Sequence, residues 1–443
     1  MTDEPAFSLS EGGRLQSALT KFGLSGGARG RGMLIGMLLV IGWLPLVILS
    51  AAAGTAVGGV DHPLFSDLGT WARFLVVVPI MIMAEPVADR ILTIVIELFR
   101  RAGLIREADR PAFEAAVVRA QRLATSDAVE VVLLLTALAI PHLLVASLPQ
   151  LGSEPAWFGT LVEGRTDISA AGHWYAWVSL PLVQFLELRW LWRIVCWWSL
   201  VWRVSKLDLA WVAAHPDGAG GLGFLAWSPR AFRTVFFGFS ALAAATVSNR
   251  IQYGGESLLD ARGPIVAFIV CECMLLLAPQ FFFVGGLVKA RYSALAGYGL
   301  TGIAMTREFD RHWTAPPPAS GAKLLDSGQS SAMIDYTGVY GQVKAMRPVA
   351  ISLREVAGIL LPVAAPFAPM SRATHTTGAS SHPVSSPDAE PVPPMGPAEN
   401  SHTDRSARAS RWRVMNPPPS DARRARNTPL PSTTAVYDSR SVT

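Results

Sequence analysis

Six apolar stretches, each long enough to cross a lipid bilayer, constrain the fold of this chain more than any other feature. The hydrocarbon core of a bilayer is about 30 Å thick, so a helical crossing needs about 20 apolar residues. A seventh stretch, 348–369, is weaker because Arg354 and Glu355 lie near its start. The sequence therefore predicts an all-α, polytopic transmembrane helix bundle with six to seven spans. The six stretches are residues 33–54, 72–96, 128–149, 174–203, 232–250 and 264–288.

Lys and Arg residues are distributed very unevenly among the predicted loops. With a cytoplasmic N-terminus, the inside segments carry 21 of these residues and the outside loops carry 3. Cationic loops resist translocation, so we expect the N-terminus to be cytoplasmic and the chain to be a multi-pass protein of the bacterial inner membrane. In this count the inside segments are 1–32, 98–127, 203–233 and 289–347, and the outside loops are 55–70, 150–172 and 250–263. The predicted domains are an N-terminal segment, 1–32, and a transmembrane domain, 33–370, with cytoplasmic connectors 98–127, 203–231 and 289–347.

Two segments outside the spans have distinct compositions. Apolar residues recur at helical spacing along 98–127, which predicts an amphipathic helix lying along the bilayer surface. Residues 371–443 contain eleven prolines, nine arginines and no lysine. Such a segment cannot bury enough apolar surface to offset its chain entropy, so we expect a disordered tail. Its abrupt start also suggests a shifted reading frame as a hypothesis.

The charge and the histidines narrow the set of ligands and partners. The net charge is +5, but the tail alone has nine arginines against six acids, so the membrane domain offers no basic nucleic-acid-binding face. His62, His142 and His173 lack the spacing of paired metal or haem ligands, so no metal or cofactor is expected. The lipid bilayer is the expected partner, and a homo-oligomer or a cytoplasmic partner protein stays open.

Three glutamates lie within the predicted spans. Glu85, Glu187 and Glu272 fall at similar depths in spans that run from outside to inside, so they could form one polar layer. Asp89 follows Glu85 by four residues and shares its helix face. Carboxylates at this depth are costly and must face protein or water, which makes an ion or substrate site one interpretation.

The fourth span also carries two arginines. Arg189 and Arg193 share the face opposite Glu187, so this helix needs polar partners on both sides and is expected at the centre of the bundle. Prolines beside the buried charges free backbone carbonyls, an arrangement that transporters use to build ion sites. The alternative is that these charges form internal ion pairs and only stabilise packing.

A glycine-rich turn follows the fourth span on the predicted cytoplasmic side. Gly218, Gly220 and Gly223 match the G-x-G-x-x-G pattern of dinucleotide-binding folds, but no strand precedes them, so that interpretation fails. His215 and Asp217 belong to an HPD tripeptide without the soluble helical domain that would give it meaning. Together with Gly221, these residues are expected to form a compact turn that binds an anion through its amides or reverses the chain.

The run KLDLAWVAAHPDGAGGLGFLAWSP resembles the hallmark of a family of bacterial multi-pass membrane proteins that share an HPD-x-x-GGLGF loop. The resemblance extends through KAMRPVAISLREVAGILLPVAAPFAP. No activity is known for that family, so the resemblance implies a membrane location and transfers no catalytic residue. It also implies a chain that stays apolar beyond Pro366.

Three classes of function follow from these features. The first is translocation of a solute or ion through a polar site formed by Glu85, Asp89, Glu187 and Glu272, with Arg189 or Arg193 as the counter-charge. The second is a membrane-anchored scaffold or sensor that presents its cytoplasmic loops to a partner. An enzyme that uses His215 and Asp217 ranks last, because no nucleophile or metal motif accompanies them.

Overall fold

The computed structural model describes residues 7–24, 27–147, 156–162, 165–313 and 328–369. Within these ranges helices joined by turns and loops make up most of the chain, and the only two strands form one antiparallel hairpin of β1 (Gly159–Val162) and β2 (Arg165–Ile168), which confirms the all-α class. The predicted disordered tail, 371–443, lies outside the described residues. The helices are α1 (Gly13–Lys21), α2 (Gly27–Gly42), α3 (Leu44–Ala52), α4 (Leu68–Trp71), α5 (Val78–Arg101), α6 (Arg110–Ala124), α7 (Asp127–Ser147), α8 (Ala170–Trp174), α9 (Leu180–Val204), α10 (Ser228–Tyr253), α11 (Leu258–Phe281), α12 (Val284–Trp313), α13 (Gln329–Ala345) and α14 (Leu353–Ala364).

Three helical stretches are long and apolar enough to cross a membrane: Gly27–Ala52, Gly223–Tyr253 and Leu258–Phe281. A pair of helices bent by 42°, Glu107–Ala124 and Asp127–Pro141, would make a fourth. Among the described residues this count is lower than the predicted six to seven. The difference lies partly in α5 and α9, which have 24 and 25 residues but carry several charged side chains inside their apolar stretches.

The predicted seventh span is only partly helical. Residues 346–352 lie outside any helix, and Ser352 and Glu355 form a capping box that starts α14. Helix α14, the following 3-10 turn, Ala365–Phe367, and the helical residues 368–369 make up 17 described residues. At about 1.5 Å per residue they cover about 26 Å, which is less than the ~30 Å of a crossing.

The connector 98–127 is not a single helix lying along a surface. Helix α5 continues to Arg101, the chain turns at Gly103 with φ of 67°, and α6 then begins at Arg110. Helix α6 packs against α9. Its buried residues are Phe113, Ala116, Val117 and Ala120. The apolar residues of α6 do recur at helical spacing, as predicted, but the face that they form packs against another helix of the bundle.

Helix α9 lies at the centre of the described bundle. It contacts α5, α6, α7 and α11, while α10 packs along α5. Its buried side chains include Trp190, Ile194, Trp197 and Leu200, which recur at helical spacing on one stripe. Helices α12 and α13 form a separate pair that pack against each other.

Two parts of the chain repeat the same local structure. Asp67 caps α4 by accepting the amide of Thr70, and Ser169 caps α8 by accepting the amide of Gly172. Each short helix widens into a π-helical segment, and a long α-helix follows at once. The segments are Ala72–Val77 before α5 and Tyr175–Ser179 before α9.

Proline explains the wide turns. Pro79 and Pro181 stand at the second position of α5 and α9, just after each π-helical segment. Proline has no amide hydrogen, so the carbonyl four residues earlier loses its α-helical donor. A π turn offers that carbonyl the amide one residue further along, which keeps the backbone paired.

The N-terminal segment is bound into the bundle by Asp89. Its carboxylate accepts hydrogen bonds from the Ser8 hydroxyl at 2.7 Å, from the Leu9 amide at 3.0 Å and from the Ser10 hydroxyl. Phe7 is buried beside Trp197, with ring centroids 6.3 Å apart. Asp89 therefore holds residues 7–10 in place and does not join a polar layer with Glu85.

The double substitution Ser8→Ala and Ser10→Ala should destabilise the fold by about 1–3 kcal/mol, because it leaves the Asp89 carboxylate with one hydrogen-bond donor from this segment. Unfolding of the full chain in detergent would measure the change. Ser17→Ala is the control, since the exposed Ser17 hydroxyl donates to the Gly13 carbonyl on its own helix. Equal stability of the two variants would contradict the anchoring role of Asp89.

Candidate functional site

Glu85 and Arg193 form an ion pair between α5 and α9. Arg193 Nη1 lies 2.7 Å from Glu85 Oε1. The Arg193 side chain is 4% exposed and that of Glu85 is 22% exposed. The two residues were expected to share a site, and the structure brings them together as partners that neutralise each other.

Trp190 supports this pair. The Arg193 guanidinium lies over the Trp190 ring at 5.1 Å, which is a cation–π distance. The indole Nε1 of Trp190 donates to the Met81 carbonyl at 2.8 Å, so it fastens α9 to α5 one turn from Glu85. The arginine is thus satisfied by a carboxylate and an aromatic face.

Arg189 and Glu272 each find a separate local partner. Arg189 Nη2 lies 3.6 Å from Glu130 Oε1 of α7, and both side chains are nearly buried. The Ser240 hydroxyl of α10 donates to Glu272 Oε2 at 2.5 Å. The second oxygen of Glu272 is buried without a hydrogen-bond partner among the described residues. The predicted single polar layer is therefore divided into separate pairs.

Glu187 has a different environment. A cavity of about 290 Å³ lies against it, and its Oε1 is buried without a hydrogen-bond partner in the described part of the chain. Gln184, one turn earlier on α9, also presents an unpartnered Oε1. The cavity is lined by Arg73, Pro141, Phe158, Ile168, Gly172, Tyr175, Ala176, Leu180, Val183, Gln184, Glu187 and Leu242.

The cavity has mostly apolar walls with a few polar groups. Arg73 and Glu187 supply one charge of each sign, while Gln184 and Tyr175 supply an amide and a hydroxyl. Ligand sites commonly have this composition, and the volume lies at the small end of their range of about 300–1,000 Å³. The arrangement can hold a small solute and exchange a proton with it or with water.

Both π-helical segments border this cavity. Arg73 belongs to Ala72–Val77, while Tyr175 and Ala176 belong to Tyr175–Ser179. The Arg73 guanidinium lies over the Tyr175 ring at 5.8 Å, so the two segments meet there. Single π turns inside α-helices are frequent at functional sites because they displace side chains from regular helical positions.

The glycine-rich turn is satisfied by its own residues. The Asp217 carboxylate accepts the amides of Ala219 at 2.8 Å, Gly221 at 3.2 Å and Gly223 at 2.7 Å. His215 Nδ1 lies 3.0 Å from Asp217 Oδ1. The amides that could have bound an external anion are therefore occupied by the carboxylate of Asp217.

The glycines of this turn are required by backbone geometry. Gly218, Gly220 and Gly221 have φ of 62°, 64° and 93°, which side chains other than glycine rarely adopt. A Cβ on Gly223 would lie 2.9 Å from the Cβ of Asp217. The turn also meets Arg347, whose Nη2 donates to the Asp217 carbonyl at 2.8 Å. The turn therefore reverses the chain, which is one of the two expected roles.

Hydrogen bonding sets the ionisation of Asp217. Burial raises the pKa of its carboxyl, but hydrogen bonds from the amides of Ala219, Gly223 and Gly221 and from His215 outweigh burial. The pKa therefore lies below its ordinary value of 3.8. The carboxylate form is the one that holds the turn.

Several residues of the site were not identified from the sequence. Arg73 and Tyr175 reach the cavity, and Glu130 and Ser240 complete the buried polar contacts. The signal available for Arg73 was its place six residues before Pro79 in an apolar helix. Ser240 and Glu130 carry no such signal, because their roles depend on helix packing. Among the described residues no group of His, Cys, Asp and Glu could hold a metal ion.

Comparison of the chain with protein-family models, curated proteins and solved structures finds no match. The resemblance of the HPD turn to a membrane-protein family stays a prediction. The two stretches that carry it contact each other, since the Arg347 amide donates to the Gly218 carbonyl at 2.8 Å.

Arg193→Met alone should destabilise the protein by about 2–3 kcal/mol. Removing one partner of a fully buried ion pair costs about 3–5 kcal/mol, and the loss here is smaller because Glu85 is partly exposed. The loss arises because Glu85 keeps its charge without a partner. Adding Glu85→Gln should restore most of the stability. Unfolding in detergent compares the single and double variants, and a double variant as unstable as the single one would contradict a neutralising pair.

Asp217→Asn should lower stability at pH 7 by about 1–2 kcal/mol, because an amide accepts the three backbone donors less strongly than a carboxylate. A depressed pKa gives stability that is present above the unfolded-state pKa and lost in acid. The difference in stability between wild type and the Asp217→Asn variant should therefore shrink as the pH falls below 3.8. Thermal unfolding from pH 7 to pH 3 measures it. Asp335→Asn, on an exposed position of α13, is the control; a gap that does not change with pH would refute the assignment.

Proposed function

We propose that this chain is a multi-pass protein of the bacterial inner membrane with six crossings. Four of them are the three apolar helical stretches and the bent pair. The other two are α5 and α9, whose 24 and 25 residues suffice at about 1.5 Å per residue. The Glu85–Arg193 pair supports this assignment, because paired charges cost much less in an apolar environment than isolated ones.

The outer surfaces of α5 and α9 support lipid contact. Apart from Arg90 and Arg101, the exposed side chains on these helices are large and apolar, so water would solvate them poorly. They include Met83, Val87 and Ile94 on α5, and Leu191, Val195 and Trp202 on α9. The segments 1–32, 203–233 and 289–347, which lie outside the bent pair, carry 15 Lys and Arg residues against 3 in the outside loops, and this excess supports a cytoplasmic N-terminus.

We further propose that the protein moves a small solute or an ion across the membrane through the cavity beside Glu187. One observation carries this proposal: the Glu187 carboxylate lines a cavity of about 290 Å³ and has an oxygen without a hydrogen-bond partner in the described chain. A buried polar atom left unsatisfied is costly, and a ligand or water can satisfy it. Glu85, Asp89, Arg189 and Arg193 already have partners, so they stabilise the bundle that holds the cavity.

A membrane-anchored scaffold is the competing function. It is supported by apolar side chains exposed on the helix pair α12 and α13, among them Tyr292, Leu300 and Ile334. A scaffold does not need a cavity beside a carboxylate, so measurement of flux separates the two functions.

Glu187→Gln should reduce proton- or solute-coupled flux at least tenfold, because an amide cannot exchange a proton at neutral pH. The full chain would be reconstituted in liposomes that contain a pH-sensitive dye, and flux would be measured after imposing a proton gradient and a potential. Wild-type liposomes should exceed protein-free liposomes.

Two variants control this experiment. Glu97→Gln removes a carboxyl at the partly exposed end of α5, outside the cavity, and should leave flux unchanged. Leu242→Trp places a bulky group on the cavity wall and should reduce flux while Glu187 is retained. Flux through Glu187→Gln equal to wild type would rule out the proposed role, and wild-type flux equal to that of empty liposomes would favour the scaffold.

A further inference from the structure

A second cavity lies at the beginning of α10 and α14, remote from the one beside Glu187. Its volume is about 630 Å³. Four arginines line it, and they come from three separate parts of the chain. They are Arg230 and Arg233 in the first two turns of α10, Arg347 after α13, and Arg354 in the first turn of α14.

The two acidic residues of this cavity are already engaged. Asp217 accepts three backbone amides of its own turn. Glu355 accepts the amide and the hydroxyl of Ser352 at 2.9 and 2.8 Å, and it lies 3.6 Å from Arg230. The acids therefore neutralise only part of the positive charge.

Three of the four arginines, Arg233, Arg347 and Arg354, have no acidic partner among the described residues. Arg233 and Arg354 are exposed and make no ion pair among the described residues. Arg347 uses one nitrogen to donate to the Asp217 carbonyl, which fixes its guanidinium at the wall of the cavity. The cavity also borders the amino-terminal turns of α10 and α14, where the helix dipoles place partial positive charge.

We propose that this arginine cavity binds a phosphate group. Guanidinium groups form paired hydrogen bonds with phosphate oxygens, and helix N-termini favour the same anions. With a cytoplasmic N-terminus, the cavity lies at the inner membrane surface, where anionic phospholipid headgroups and soluble phosphorylated compounds both occur. The site requires neither Glu187 nor translocation.

Purified full-length protein tests this proposal. Native mass spectrometry would compare retention of phosphatidylglycerol and phosphatidylcholine, and calorimetry in neutral detergent would measure binding of inorganic pyrophosphate. The double variant Arg233→Gln and Arg354→Gln should weaken phosphate-dependent binding at least tenfold. Both side chains are exposed and unpaired, so the variant should unfold at the same temperature as wild type.

The matched control is Arg119→Gln with Arg307→Gln, which removes the same charge from exposed positions on α6 and α12. Selective retention of phosphatidylglycerol, lost only in the cavity variant, supports the proposal with a lipid headgroup as the ligand. Pyrophosphate binding lost only in that variant supports it with a soluble compound. Equal binding by wild type and the cavity variant, or an equal loss in the control, overturns it.

Discussion

The ion pair between Glu85 and Arg193 is the contact on which the rest of the bundle depends. In the crossings that we propose for α5 and α9, each charge alone would cost about 2.5–3.5 kcal/mol even by insertion measurements. Paired at 2.7 Å, the two charges fix α5 against α9 at one rotation and one depth. Helices α6, α7 and α11 also pack on α9, so its orientation sets where their apolar faces lie.

Proline gives the same two helices a shared local irregularity. Pro79 and Pro181 each remove one amide donor, and in both cases the turn before the proline widens into a π-helical segment. A wider turn pushes side chains away from regular positions, so the helices cannot pack closely along that stretch. The cavity beside Glu187 lies where the two segments meet, and it follows from backbone chemistry that both helices share.

The sequence predicted the all-α class, the central place of the fourth span and the existence of buried charges that need partners. It did not predict the pairing, because helical spacing says which face a residue occupies and not which helix lies opposite. Asp89 shares a face with Glu85, yet it is bound by Ser8 and Ser10 from a segment far away in the chain. Likewise the apolar positions of 98–127 were recognised, but their partner is α9. Long-range packing decides such questions, and no local pattern encodes it.

The two repeated helices differ in one consequential way. Glu85 and Glu187 each follow their proline by six residues, so equivalent positions carry the same carboxyl group. On α5 that carboxyl faces α9 and meets Arg193, whereas on α9 it faces the cavity and leaves an oxygen without a partner among the described residues. If both glutamates were paired with arginines, the bundle would be a rigid anchor. If both were left unpaired, the bundle without ligand would be less stable. Pairing Glu85 while Glu187 faces the cavity keeps the bundle stable and leaves the Glu187 carboxylate for the proposed exchange with a ligand.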